Sequence, residues 1–177
     1  MENFRLSWAP ISMKLFLTSL LCIVGLIYIS LLVHVWQDTE MKPSLIAKGY
    51  SSMEAMELTD HTHKYLPYYA LYLFAIPTFL FMFTSFSEKI KRFFAVWPFL
   101  WIVIDIGSMW LIPYAHQVFF SWVLWFAGTF LGLTFLLLFM LNILDIWFRK
   151  SHKKIIFVLN SAFLQSFVVG FILGLLA

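Results

Sequence analysis

Five apolar runs dominate this sequence, and each is long enough to cross a membrane. They cover residues 14–36, 64–86, 93–115, 118–147 and 155–177. An α-helix rises about 1.5 Å per residue, so about 20 apolar residues span the hydrocarbon of a bilayer. Backbone amides in hydrocarbon must be bonded within their own segment, so each run is expected to be helical. The expected fold is an all-α, polytopic membrane bundle of five transmembrane helices, one domain over 1–177. Charge agrees: 12% of the residues are charged, against about a quarter in soluble domains. The mean hydropathy is +0.88. The first run is too long for a signal-peptide core and lacks a small-residue exit, so it reads as a retained span. The fourth exceeds what a bilayer needs and should tilt or protrude. Cys22 is the single cysteine, which excludes a disulfide or a Cys-type zinc site within one chain.

The basic residues orient the spans. Arg5 and Lys14 precede the first. Lys89, Lys91 and Arg92 fill the turn after the second. Arg149, Lys150, Lys153 and Lys154 fill the turn after the fourth. The other side carries Lys42, Lys48 and Lys64, diluted by Asp38, Glu40, Glu54, Glu57 and Asp60. The positive-inside rule then puts the N-terminus in the cytoplasm and the C-terminus outside. Since topology explains the basic residues, nucleic acid is not an expected partner.

One long connection, residues 37–63, lies on the outer side. Ser51 and Glu54 have the spacing of a capping box, so the second helix should start near Ser52 and run inward from outside the membrane. Its outer turns would pair Glu57 with His61 and Asp60 with Lys64. Pro67, Pro77 and Pro113 each free a carbonyl four residues back, with a kink as the simple consequence. Asp145 stands one turn before Arg149 and should pair with it.

Small residues suggest how helices meet. Gly128 and Gly132 are four apart on the fourth run, and Ala162, Ser166, Gly170 and Gly174 form a stripe on the fifth. Such stripes let backbones approach closely in lipid. The stripes point either to a contact between these two helices or to a contact with another subunit. Trp8, Trp36, Trp97 and Trp147 sit near expected interfaces as an aromatic belt.

Histidine is the chemistry that topology leaves unexplained. His34, His61, His63 and His116 all map to the outer level, arriving from different helices, whereas His152 lies in a basic cytoplasmic turn. Imidazole is a common metal ligand and a usual axial ligand of haem iron. His61 and His63 lie about 200° apart on a regular helix, so only one can face inward. Below them Tyr65, Tyr68 or Tyr69, and Tyr72 descend toward the membrane, and Tyr72 is deep enough to need a partner. Asp105 lies midway along the third run, where a carboxylate costs at least about 2.5 kcal/mol. No Lys or Arg occurs at its depth, so a neutral acid facing the bundle is expected. It either locks helices together or ends a polar track from the outer histidines.

Three segments carry a resemblance. His61-Thr62-His63, then "FTSFSEKIKRFF" (83–94), then Asp105, Trp110-Leu111 and Tyr114 look like a group of small, largely uncharacterised bacterial inner-membrane proteins. That group has a T-H-x-H-type start to one span, a S-x-S-E-x-x-K-R turn and a D-x-x-x-x-W-L-x-x-Y segment. The likeness covers roughly residues 54–115. It implies a location in the bacterial inner membrane and importance for His61, His63 and Asp105. The chain departs from it at Asp60, where the group has Thr, and at Phe79 and Phe81, where the group has a deeper histidine.

Two functions follow as expectations. One is a membrane protein binding haem b or a transition metal through His61, His63, His116 and His34, with a respiratory or electron-transfer role. The other is a cofactor-free structural or assembly subunit of a larger membrane complex or homo-oligomer. A transporter has thin support, since no inverted repeat is visible. A zinc hydrolase has less, since H-x-H is not the i,i+4 pair of a helical zinc site.

Overall fold

The computed structural model describes residues 5–148. A single 3-10 turn, Leu6–Trp8, precedes α1 (Ile11–Thr39), α2 (Pro43–Ser51), α3 (Ala55–Met82), α4 (Glu88–Tyr114) and α5 (Gln117–Trp147). No strand occurs among the described residues. Four of the helices, α1, α3, α4 and α5, are long and apolar enough to cross a membrane. The fifth expected span, 155–177, lies outside the described residues, together with Ala162, Ser166, Gly170 and Gly174.

The four long helices alternate in direction. At one end Leu6 N–H donates to Phe83 O, Ser85 N–H donates to Asp145 Oδ1 at 3.0 Å, and Trp147 Nε1 donates to Thr18 Oγ1 at 2.9 Å. Asp145 is fully buried there; Arg149, its expected partner, lies outside the described residues. At the other end Trp110 Nε1 donates to Thr62 Oγ1, and Gln117 Nε2 donates to Ala47 O. Between the two ends Val24, Phe74, Phe81, Ile102, Phe135 and Leu138 form the core. Outside it, residues such as Phe16, Leu26, Phe79 and Val103 turn their apolar side chains outward. In lipid this arrangement costs nothing, because tails are as apolar as the side chains.

The connection 37–63 contains an element that its sequence did not suggest. Pro43 opens α2 at the first helical position, where its missing N–H is no loss. The chain reaches α2 through Glu40 and Met41, both left-handed at φ 47° and 56°. Such residues cost roughly 1–2 kcal/mol each. Trp125 Nε1 donates to Met41 O at 2.8 Å and helps to hold the turn. Ile46 and Ala47 are buried, and α2 lies across the end of the bundle against α4 and α5.

The start of α3 also differs. The capping box forms at Glu54, whose backbone N–H donates to the Glu57 carboxylate at 3.2 Å, rather than at Ser51. Ser51 ends α2 and its hydroxyl donates to Lys48 O. Glu57 therefore turns back to the cap instead of reaching His61. Lys64 points its ammonium over the Tyr65 ring, 5.4 Å from the centroid, instead of pairing with Asp60.

Between Pro67 and Pro77 α3 is wound as a π-helix, Tyr68–Ala75. The N–H of Ile76 reaches back five residues to Leu71 O. A proline ring clashes with the carbonyl four residues before it, and a wider turn is one way to relieve that. Asn142, fully buried on α5, donates to Pro77 O at 3.0 Å and to Leu138 O at 2.8 Å. Pro98 and Pro113 sit within an otherwise continuous α4.

Candidate functional site

The polar residues of the α2 end converge on Tyr65 of α3. His34, near the end of α1, places Nε2 3.1 Å from the Tyr65 hydroxyl and 3.5 Å from Asp38 Oδ2. His61, one turn before Tyr65, packs its ring 5.6 Å from the Tyr65 ring and edge-on to Tyr50 of α2 at 5.9 Å. Tyr65 in turn stacks on Tyr69 at 6.2 Å, one turn deeper. Asp105 of α4 is buried. Asp38, His34 and Tyr65 are thus joined by polar contacts, and Tyr69 continues inward from them by ring stacking.

His61 is the inward member of the H-x-H pair, and His63 is exposed. Nδ1 of His61 is buried and makes no hydrogen bond among the described residues. Thr62 between them donates to Leu58 O and accepts from Trp110 Nε1 at 2.8 Å, which ties α3 to α4. His116 stands apart. It is the N-cap of α5, with Nδ1 accepting the N–H of Phe119 at 3.2 Å. The four histidines therefore do not share one centre. Among the described residues no three His, Cys, Asp or Glu side chains are grouped to hold a metal ion.

The tyrosine ladder divides. Tyr68 and Tyr72 pair at 5.7 Å on the exposed side of α3, and Tyr72 is 46% exposed. The inward ladder is Tyr65 and Tyr69. The π-helical turns advance fewer degrees per residue than an α-helix, so counting by 3.6 assigns the wrong tyrosine to the inner face.

Tyr50 had no sequence signal of its own, because the helix that carries it lies in a loop-like stretch. Burial raises its phenol above the ordinary tyrosine value, and the neighbouring Tyr65, Asp105 and Asp38 raise it further. Tyr50 therefore stays protonated throughout the physiological range as a neutral hydroxyl.

The two glycines of α5 differ in the space around them. A Cβ built on Gly128 would have only Asp105 Oδ1 nearby, at 3.7 Å. A Cβ on Gly132 would lie 2.7 Å from the Tyr28 hydroxyl of α1. Gly128 is itself exposed, so α5 leaves only a thin screen beside Asp105.

Four alternating apolar helices with a lateral α2 across one end define a class: this is an all-α, multi-pass membrane protein. The chain belongs to the Aq_1264_TM family, whose model, a transmembrane helical domain, matches residues 47–153. No curated protein matches the chain, and no solved structure does. The matched stretch contains Tyr50, His61, Tyr65, Tyr69 and Asp105, whereas His34, Asp38 and Tyr28 precede it.

Proposed function

We propose that this protein transfers protons between the outer surface of the bacterial cytoplasmic membrane and a mid-membrane acid, Asp105, within a larger respiratory or electron-transfer assembly. The observation that carries the reading is the run Asp38, His34 and Tyr65, joined by polar contacts, with Tyr69 stacked on Tyr65 and Asp105 buried in α4. Imidazoles and phenols both give and take protons, and an intramembrane acid is a functional site by default. The positive-inside pattern supports an outward-facing histidine end, with the N-terminus in the cytoplasm. Among the described residues these groups lead no further than Asp105, so the next proton acceptor lies beyond them. The exposed Gly128 is the natural place of contact, for another subunit or a second copy.

Infrared difference spectroscopy tests this directly. Wild type minus Asp105→Asn should contain the C=O stretch of a protonated carboxylic acid, and that band should respond to the pH of the medium. A spectrum without the band, or a band indifferent to bulk pH, would contradict the proposal.

A second reading keeps a cofactor, and the unbonded Nδ1 of His61 favours it. His61 would be the ligand to haem b or a metal ion. The other histidines do not complete a set with it: His34 is engaged with Tyr65 and Asp38, His116 caps α5, and His63 is exposed. Gently extracted protein would show a Soret band or stoichiometric metal, lost in His61→Ala and kept in His152→Ala. Colourless, metal-free protein would eliminate this reading and leave the relay.

A further inference from the structure

A groove of about 610 Å³ runs between α1 and α3 on the outside of the bundle. Its deep end is lined by Leu26, Ile27 and Leu31, and its upper end by His34, Lys64 and Tyr65. From Leu26 to His34 is eight residues, about 12 Å of helix rise. That is close to the depth of one leaflet, about 15 Å of a 30 Å hydrocarbon core. The gradient from apolar to cationic runs in the same sense as a phospholipid, tail toward the midplane and headgroup toward the surface.

Two polar groups in the groove have no hydrogen-bond or ion-pair partner among the described residues. Lys64 has no carboxylate within ion-pair distance among the described residues; its ammonium rests over the Tyr65 ring. Asp38, the carboxylate near the groove mouth, is engaged with His34. Ser30 is exposed on an otherwise apolar stretch of α1, and its hydroxyl makes no hydrogen bond among the described residues. A hydroxyl left in hydrocarbon needs an acceptor. We infer that this groove binds one anionic phospholipid of the leaflet on the α2 side. Lys64 meets the phosphate, Ser30 donates to an ester carbonyl, and the acyl chain lies along Leu26, Ile27 and Leu31.

The test is native mass spectrometry of the full chain, exchanged from detergent into vesicles of phosphatidylglycerol, of phosphatidylcholine, or of phosphatidylcholine with added isoprenoid quinone. One interfacial lysine contributes enough for a roughly fivefold preference. Wild type should therefore retain one phosphatidylglycerol with about that preference over phosphatidylcholine. Lys64→Gln should abolish the preference, whereas Lys48→Gln, which removes an equal charge from α2, should keep it. Ser30→Phe fills the groove and leaves Lys64 in place; it should lose both lipids, and it carries the test if Lys64→Gln fails to fold. Equal retention of the two lipids, no retained lipid, or an unchanged Lys64→Gln overturns the inference. So does preferential retention of the quinone, or a lipid-free dimer.

Discussion

Single residues set the tolerances of this bundle. At Gly132 the space for a side chain is already taken by the Tyr28 hydroxyl, whose ring packs 4.3 Å from Phe135. Gly132→Ala should therefore destabilise the protein by about 1 kcal/mol, the low end of overpacking because the far end of a side chain has to yield. Gly128→Ala, with one ordinary contact at 3.7 Å, should be nearly neutral. Adding Tyr28→Phe should relieve Gly132→Ala, and unfolding in detergent micelles measures all four proteins. Equal losses at the two glycines would refute the contact. Tyr50 gives a pH test. Its phenol is raised above the ordinary value of about 10. Above that pH the unfolded chain releases a proton that the folded protein still holds. The contribution of the Tyr50 hydroxyl is complete below about pH 10 and drains away as the pH rises toward the folded value. The stability difference between wild type and Tyr50→Phe should shrink as the pH rises above about 10; a constant difference would mean that Tyr50 is not shielded.

At the scale of elements, α2 is the decisive piece and the least visible in the sequence. The spans announce themselves because a bilayer demands long apolar runs. Pro43–Ser51 lies in a polar connection, and its burial depends on partners far away: Trp125 to Met41 O and Gln117 to Ala47 O. Each bond contributes about 1 kcal/mol. The double variant Trp125→Phe with Gln117→Ala should speed hydrogen exchange of the α2 amides roughly thirtyfold while the amides of α5 stay protected. Uniform exchange across both elements would show that α2 is no separate unit. The division between Tyr69 and Tyr72 was hidden for a different reason. The winding changes between two prolines, and a change of winding rotates every later side chain. The inward turn of His61 was open for a third: periodicity separates His61 from His63, but it takes Tyr50 to show which side is the interior.

At the scale of the molecule, the outer histidines and the acid in the third run were legible, with a polar track between them as one of two readings, and the side chains that would line it were not. His116 belongs to the same end by topology, yet its ring serves the backbone of α5. The proposed relay instead uses Tyr65 and Tyr69, which look like ordinary interfacial tyrosines in the sequence. Trp110 and Thr62 tie together the two segments that carry His61 and Asp105, so the geometry of the relay rests on that contact. Thr62→Val leaves the buried indole N–H without its acceptor and should cost about 1–3 kcal/mol of stability, measured by thermal unfolding in micelles. A neutral Thr62→Val would place the coupling of α3 to α4 elsewhere.

The most direct measurement is the rate at which the Asp105 carboxyl proton exchanges when the protein is moved into deuterated water, followed by the infrared band that Asp105→Asn lacks. The relay predicts rapid exchange in wild type and exchange slowed at least about tenfold in the double variant Tyr65→Phe with Tyr69→Phe, since a phenyl ring keeps the packing and carries no proton. Exchange equally fast in wild type and in the double variant would show that protons reach Asp105 by another route and would contradict the relay.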